Sequence, residues 1–444
     1  MRLIEGLCSL GELVLGPSTI HKESCCERVG VNGFGTYFCR ACGRSSCQLH
    51  VALWTAGSHC CYFCFSETDC LKEPNEVLVL RNPRFRKYKS RALIVLDGLY
   101  TAGAQRHCIE LMKALAEIGY SCTVLALEGG GRWARFFATR AEALILVRRS
   151  LDWCLLSSAV GYDDFSFVTA HLAAGIDWAS KNVPPGTKAF AHLHSEPSPH
   201  EDISWEWACS KLRRFDQVFV PCENTLQTYV SGYERAELPE EIATKFRVFP
   251  NGIYSRLERS PLQNRKRRPS SNQVHLAVVS RLDSDKFNIP LFCETIRTLS
   301  EIYTGLSVRV AGDGECKQEL RLSVEAAGLE NVVSFLGFID NVSAIYRWAD
   351  VVFLPSKREG MPYVFLECVS WMRPLVAPAV GFFKGTSNSN FVWTFRPSNP
   401  TEAADAIQRA LSHEPEKPTN DYLFKQLCEV GSWLQAVKEA YELS

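Results

Sequence analysis

The segment Glu359-Gly-Met-Pro-Tyr-Val-Phe-Leu-Glu367 holds two carboxylates with seven residues between them. An apolar run ends near Leu354 and helix-forming residues begin near Pro362. The pattern predicts a strand, a short loop carrying Glu359, and a helix carrying Glu367 about two turns beyond Glu359, on a similar face. Proline suits the first helical turn, where its missing N–H is not needed. The unused N–H groups of that turn, with Gly360 allowing close approach, make an anion site of diphosphate size. Carboxylates that grip hydroxyls beside a diphosphate are what a nucleotide-sugar requires.

A second charged element, Arg281-Leu-Asp-Ser-Asp-Lys286, follows another apolar run. Its two cations can neutralise a departing diphosphate. Asp283-Ser-Asp285 has the form of a metal-binding Asp-x-Asp, but its place between two cations favours a loop role. Thr101-Ala-Gly-Ala-Gln-Arg-His107 is a glycine-containing loop without the full G-x-G-x-x-G spacing, so Gly103 and Ala104 are a weak phosphate-loop signal by themselves. His171, His192 and His194 each follow a strand-like run; single histidines there are more often structural, yet one of three is expected to serve a site.

Ten of nineteen cysteines fall in the first 70 residues. Cys39-x2-Cys42 and Cys61-x2-Cys64 have four-cysteine zinc spacing, and Cys47-x2-His50 between them is a further ligand pair. His21, Cys25 and Cys26 are the nearby partners for a second zinc, although the adjacent Cys25-Cys26 departs from the usual paired spacing. The zinc would be structural, supplying folding energy to a module with little core. Residues 81–91 hold six basic and no acidic side chains, with Phe85 and Tyr88 interleaved. This stretch suits nucleic-acid phosphates, an anionic membrane surface, or a solvated linker.

These groups must be positioned by the rest of the chain. From residue 91, apolar runs of strand length alternate with amphipathic segments, which predicts a doubly wound parallel sheet. Polar residues 256–272, including Arg265-Lys-Arg-Arg268, interrupt the alternation, which then restarts. The expected organisation is a Cys-rich module at 1–75, a basic linker at 76–90, one Rossmann-like domain at 91–252, a linker at 253–272, a second Rossmann-like domain at 273–412 and closing helices at 413–444. Two such α/β domains leave a ligand cleft at the carboxyl ends of their strands. The chain has 444 residues, 46% of them hydrophobic, with 49 basic and 49 acidic side chains. That excludes global disorder and identifies no partner by net charge. Glu5 and Glu12 argue against a secretory signal, and no apolar run reaches transmembrane length; a cytoplasmic location is expected.

In order and spacing these pieces resemble the group 1 glycosyltransferases, a large family of retaining enzymes with the GT-B fold that use nucleotide-sugars. The matching residues are Gly103-Ala-Gln-Arg-His107, Pro250-Asn-Gly252, Ser280-Arg-Leu with Lys286, Gly312-Asp-Gly-Glu315, Phe335-Leu-Gly337, Ala349-Asp350 with Leu354-Pro-Ser356, and Glu359 to Glu367. The resemblance implies that Arg281 and Lys286 hold the donor diphosphate, Glu359 contacts the transferred sugar and Glu367 the ribose. It adds Gly103, Ala104, Asn251, Gly360, Met361 and Pro362 to the donor-binding positions, and makes His194 the family's histidine, with His192 as alternate. It implies a UDP- or GDP-sugar donor, transfer with retention, and no catalytic divalent metal. The acceptor would be a glycan or a lipid-linked sugar. Where the family usually has Gly-Gly and a later acidic residue, this chain has Gly381-Phe382 and Lys384-Gly-Thr-Ser-Asn-Ser-Asn390, which bears on sugar and nucleotide preference. Tyr37 to His50 resembles the middle of a FYVE- or RING-type finger without the basic motif that binds phosphoinositides. The head and the basic stretch leave two alternatives: transfer to a modified base in DNA, or an inactive GT-B scaffold with a zinc-finger binding module.

Overall fold

The computed structural model describes residue 88 and residues 90–99, 102–129, 131, 133–147, 151–196, 210–235, 240–254, 273–339, 341–385, 391–413 and 430–443. Before these it describes the backbone of seven strands only. Two antiparallel groups, β2 (Cys26–Val31), β3 (Phe34–Cys39) and β4 (Ser45–Ser46), and β5 (Ala52–Thr55) with β6 (Ser58–Cys61), fall in the Cys-rich stretch. The side chains of Cys25, Cys26, Cys39, Cys42, Cys47, His50, Cys61 and Cys64 lie outside the described residues, as does most of the basic stretch 81–91. The chain divides into two compact units, one of residues 1–194, 202–219 and 233–247, the other of 195–201, 220–232 and 248–444.

The first unit is built on a nine-stranded sheet. Its outer strands are β1 (Leu3–Leu7) and β7 (Val77–Arg81), the latter antiparallel to β10 (Ala143–Val147). Then come β9 (Tyr120–Ala126), β8 (Ser90–Leu96), β11 (Phe167–His171), β12 (Lys188–His192), β13 (Gln217–Val220) and β14 (Phe246–Val248). From β10 through β13 the strands run parallel. They read as unbroken apolar runs because helices cover both faces; Ala92, Leu93, Ile94 and Val95 are all fully buried. The helix Gly103–Glu117 turns Cys108, Leu111, Met112 and Leu115 inward at helical spacing. Chain order runs outward from β8 on one side and restarts at β11 on the other, so the sheet reverses direction between those two strands.

The second unit repeats this plan with six parallel strands: β17 (Val333–Gly337), β16 (Gly305–Ala311), β15 (Gln273–Val279), β18 (Val351–Phe353), β19 (Leu375–Pro378) and β20 (Val392–Phe395), in that spatial order. Strand alternation sorts its core. Val274, Leu276 and Val278 face a cluster shared with the helices Ile289–Ile302 and Pro400–Ser412, while Ala277 faces Ile345, Leu366 and Cys368 on the other side. Small residues at Ala277, Ala311 and Ala377 let that second layer lie close. The helix starts are written locally. The Asn288 side chain accepts from the Leu291 N–H, the Asn399 side chain from the Glu402 N–H, and each asparagine is followed by an early proline; such caps are worth about 1 kcal/mol each. The reversal here lies between β15 and β18.

Sequence periodicity marks the strands of both sheets from residue 91 on, except β20 and the short β14. No helix among the described residues is long and apolar enough to cross a membrane.

Candidate functional site

Parallel sheets bind ligands beyond the carboxyl ends of their strands, where the strand order reverses. In the second unit, the loops after β15 and β18 flank that point and are laced together. The Asn288 N–H donates to the Pro355 carbonyl at 2.8 Å, the Lys357 N–H to the Lys286 carbonyl at 2.7 Å, and Phe287 bridges Ser356. Lys286 is set by a turn in which its own N–H and that of Phe287 donate to the Asp283 carbonyl, at 3.0 and 2.8 Å. The result puts Lys286 Nζ 3.2 Å from Glu359 Oε2. Glu359 is 5% exposed, and its other oxygen accepts from Ser356 Oγ at 2.7 Å. A buried carboxylate needs such partners, because unpaired charge in the interior costs several kcal/mol.

The backbone on the far side of Glu359 is pinned by Gly381. Its φ is +50°, and a Cβ there would lie 1.4 Å from the Glu359 carbonyl oxygen. The Phe382 N–H then donates to the Gly360 carbonyl at 3.0 Å. Only glycine permits this approach, so the first residue of the Gly381-Phe382 pair keeps a structural requirement of the motif. A similar closeness holds the loop after β15, where a Cβ on Gly312 would meet the Ser280 carbonyl oxygen at 1.8 Å.

Pro362 precedes the helix Tyr363–Ser370 as its cap, with no side chain bonding the first turn. Free N–H groups at a helix start carry partial positive charge. Asn251 is buried beside this segment: its Nδ2 donates to the Met361 carbonyl at 2.6 Å and its backbone N–H lies 3.2 Å from Met361 Sδ. Asn251 and Met361 thus fix the loop between Glu359 and the helix. Glu367, half-buried, accepts from the Tyr346 hydroxyl at 2.6 Å. Burial and the Glu367 carboxylate push the Tyr346 phenol well above its ordinary range, so it stays a donor. Arg281 is half exposed and pairs with Asp283 at 3.0 Å. Burial raises the Asp283 carboxyl, and Arg281 opposes that shift. Asp285 pairs with Arg358. Both carboxylates of Asp283-Ser-Asp285 are thereby matched to guanidinium groups.

In the first unit, the reversal point gathers different chemistry. Gly103 and Ala104 open the helix that carries His107. His171 ends β11, His192 ends β12, and His194 follows two residues on. Ring centroids lie 5.7 Å apart for His107 and His171, 5.0 Å for His107 and His192, and 4.3 Å for the stacked His171 and His192. His171 Nδ1 is 3.0 Å from His194 Nε2, and its Nε2 is 3.1 Å from Thr169 Oγ1. Burial, reinforced by the neighbouring imidazoles, holds His171, His192 and His194 well below the ordinary histidine range. Leu172, just after His171, has φ +64°, a conformation that costs a non-glycine residue about 1–3 kcal/mol. Asp97, at the end of β8, accepts from the Gly175 N–H at 3.2 Å. Burial first, then the Glu128 charge, raises its carboxyl to about 6.

The sequence motifs named Glu359, Glu367, Lys286, Arg281 and His194. His107 as a partner of the other histidines, Ser356, Tyr346 and Asp97 were not singled out. Ser356 and Asp97 each end or follow a strand at a reversal point, a signal available once the strand order is known. The His107 and Tyr346 contacts are tertiary and leave no local trace.

Comparison with known proteins bears on the second unit most. Residues 273–413 match the family model described as "Glycosyl transferases group 1". An alpha-D-kanosaminyltransferase of Streptomyces kanamyceticus is 30% identical over 169 residues, 37% of this chain and 41% of that protein. The N-acetyl-D-galactosaminyltransferase of Campylobacter jejuni that acts on an undecaprenol diphosphate-linked sugar is 38% identical over 90 residues, 20% of this chain and 24% of its own length. These matches therefore span less than half of either relative. Among solved structures, Anabaena Alr3699/HepE in complex with UDP-glucose superposes with a TM-score of 0.62 at 17% identity, covering 79% of this chain and 99% of that one. At that identity the likeness is one of fold: α/β, with two parallel sheets, as in GT-B proteins. Residues 273–413 thus match a group 1 glycosyl transferase domain.

Proposed function

We propose that this chain transfers a sugar from a nucleotide-sugar, a UDP-sugar first, to a hydroxyl of a glycan acceptor, with retention at the anomeric carbon. The observation that carries the reading is the Lys286–Glu359 pair, 3.2 Å apart at the point where the second sheet reverses. In this account Lys286, Arg281 and the start of the helix Tyr363–Ser370 receive the donor diphosphate and stabilise its added charge as the sugar leaves. The bond from anomeric carbon to phosphate oxygen breaks, the acceptor oxygen bonds to that carbon, and its proton passes to the departing phosphate. Glu359, held by Lys286 and Ser356, is placed to contact the transferred sugar, and Glu367 to contact the ribose. The group 1 family match and the transferase relatives support this reading; the UDP-glucose held by a protein of like fold supports the choice of nucleotide. The cysteines of residues 25–64 would hold structural zinc apart from this chemistry.

The test is nucleoside diphosphate release from a panel of UDP- and GDP-sugars. Each is run alone, with glycan acceptors, with a lipid-linked sugar, and with hydroxymethylated DNA. Release with a UDP-sugar, stimulated by a glycan and abolished by Glu359→Gln, is the expected result. Stimulation by DNA alone would replace the glycan acceptor. Donor binding without turnover under every acceptor would leave a scaffold and sink the reading.

A further inference from the structure

Among the described residues, His107, His171 and His192 are the one group of three such side chains whose donor atoms converge, all within 4.8 Å of one another. Each comes from a separate rigid element: the helix Gly103–Glu117, the end of β11 and the end of β12. All three are buried, at 1%, 0% and 3% exposure. Nitrogens on a tetrahedral zinc, at 2.0–2.1 Å from the metal, stand about 3.3 Å apart, so the three, within 4.8 Å of one another, must close by no more than about 1.5 Å to share one ion. His171 already has the surroundings of a ligand. Its Nε2 meets Thr169 Oγ1, the kind of outer partner that fixes a ligand's tautomer, and that leaves Nδ1 facing His194 Nε2 at 3.0 Å. Packing alone explains the group poorly, since an apolar trio would fill the same space without burying ring nitrogens.

We propose that His107, His171 and His192 form a binding site for a borderline divalent transition metal, Zn2+ foremost, with His194 as a further nitrogen in reach. Three imidazoles without a carboxylate or thiolate select this class over Mg2+ or Ca2+, which take oxygen ligands. The site is separate from the cysteines of residues 25–64 and does not depend on the proposed transfer reaction.

The full-length chain is stripped with a chelator, reloaded with Zn2+ alone, desalted and assayed for metal per chain, beside His107→Gln/His192→Gln and His171→Asn. The N-terminal cysteines are the same in all three proteins and cancel in the difference. The expected result is about one zinc fewer per chain in each variant, with wild-type circular dichroism. Equal zinc in a correctly folded variant overturns the proposal. If the double variant does not fold, His192→Gln alone is compared with wild type by chelator competition. At least ten-fold weaker retention of one zinc is expected, and unchanged retention of every zinc overturns it.

Discussion

The two units solve the same topological problem with opposite chemistry. Each has a run of parallel strands whose order reverses, between β8 and β11 in the first unit and between β15 and β18 in the second. At the second reversal stands an ion pair, Lys286 with Glu359, backed by Ser356. At the first stand neutral imidazoles and a carboxyl, Asp97, raised to about 6. An ion pair with a buried carboxylate is costly when broken. A cluster of uncharged nitrogens suits a ligand that brings its own positive charge. One backbone plan thus carries two side-chain clusters of different character, and fold alone foretells neither.

The comparison breaks most readily at Lys286. Lys286→Ala leaves Glu359 charged, buried and unmatched, and is expected to cost about 3–5 kcal/mol of stability, read as a drop in denaturant midpoint. Lys286→Met with Glu359→Gln should recover most of that loss while donor turnover stays absent, which separates the pair's structural role from its chemical one. If the double variant is as unstable as the single, the pair is not what ties the two loops together.

Gly381→Ala tests the backbone behind Glu359. The added Cβ would collide with the Glu359 carbonyl in a left-handed conformation, so a loss of about 2 kcal/mol or more is expected, with weaker donor affinity. An alanine accepted at no cost would mean the close approach is not required.

On the first unit, Asp97→Asn sharpens the contrast in the other direction. The folded carboxyl binds its proton more tightly than the unfolded one, so Asp97 lowers stability as pH rises from about 4 to about 6, and the full cost is present above that. A shift from 3.8 to about 6 corresponds to roughly 2–3 kcal/mol. Asparagine keeps the acceptor for the Gly175 N–H and removes the charge. The variant should be more stable at pH 7 by about that amount and equal to wild type near pH 4. Equal stability at both pH values would refute the assignment.

The smallest expected stability effects belong to single polar contacts of the second unit. Tyr346→Phe removes one hydrogen bond to Glu367 and should cost about 1–2 kcal/mol. Arg281→Ala breaks a half-exposed pair and should change stability by less than about 1 kcal/mol, while donor affinity falls about ten-fold. An unchanged affinity would remove Arg281 from the diphosphate site.

The same contrast explains what the sequence disclosed. The second site is written almost contiguously: Glu359, Gly360, Pro362 and Glu367 sit on one loop and one helix, and Arg281 to Lys286 on another loop, so residue type and spacing pointed to them. Strand and helix spacing gave the two sheets as well, apart from β14 and β20. The histidine cluster draws on residues 107, 171, 192 and 194. Each looks structural alone, and only the parallel pairing of β11 with β12, which sets His171 opposite His192, brings them together. Asn251 is among the positions expected to bind the donor; its amide also donates to the Met361 carbonyl, an interaction that local pattern does not encode. The zinc assignments at Cys39, Cys42, Cys61 and Cys64 fall outside the described residues.

The central claim is that the second reversal point receives a nucleoside diphosphate through Lys286. Calorimetric titration of UDP into the full chain, wild type beside Lys286→Met/Glu359→Gln, tests it most directly, because this variant removes the cation without leaving a buried carboxylate unpaired. The account predicts saturable binding to the wild type that weakens with added salt, and at least a ten-fold loss in a variant of wild-type circular dichroism. Equal affinity in the two proteins would contradict it.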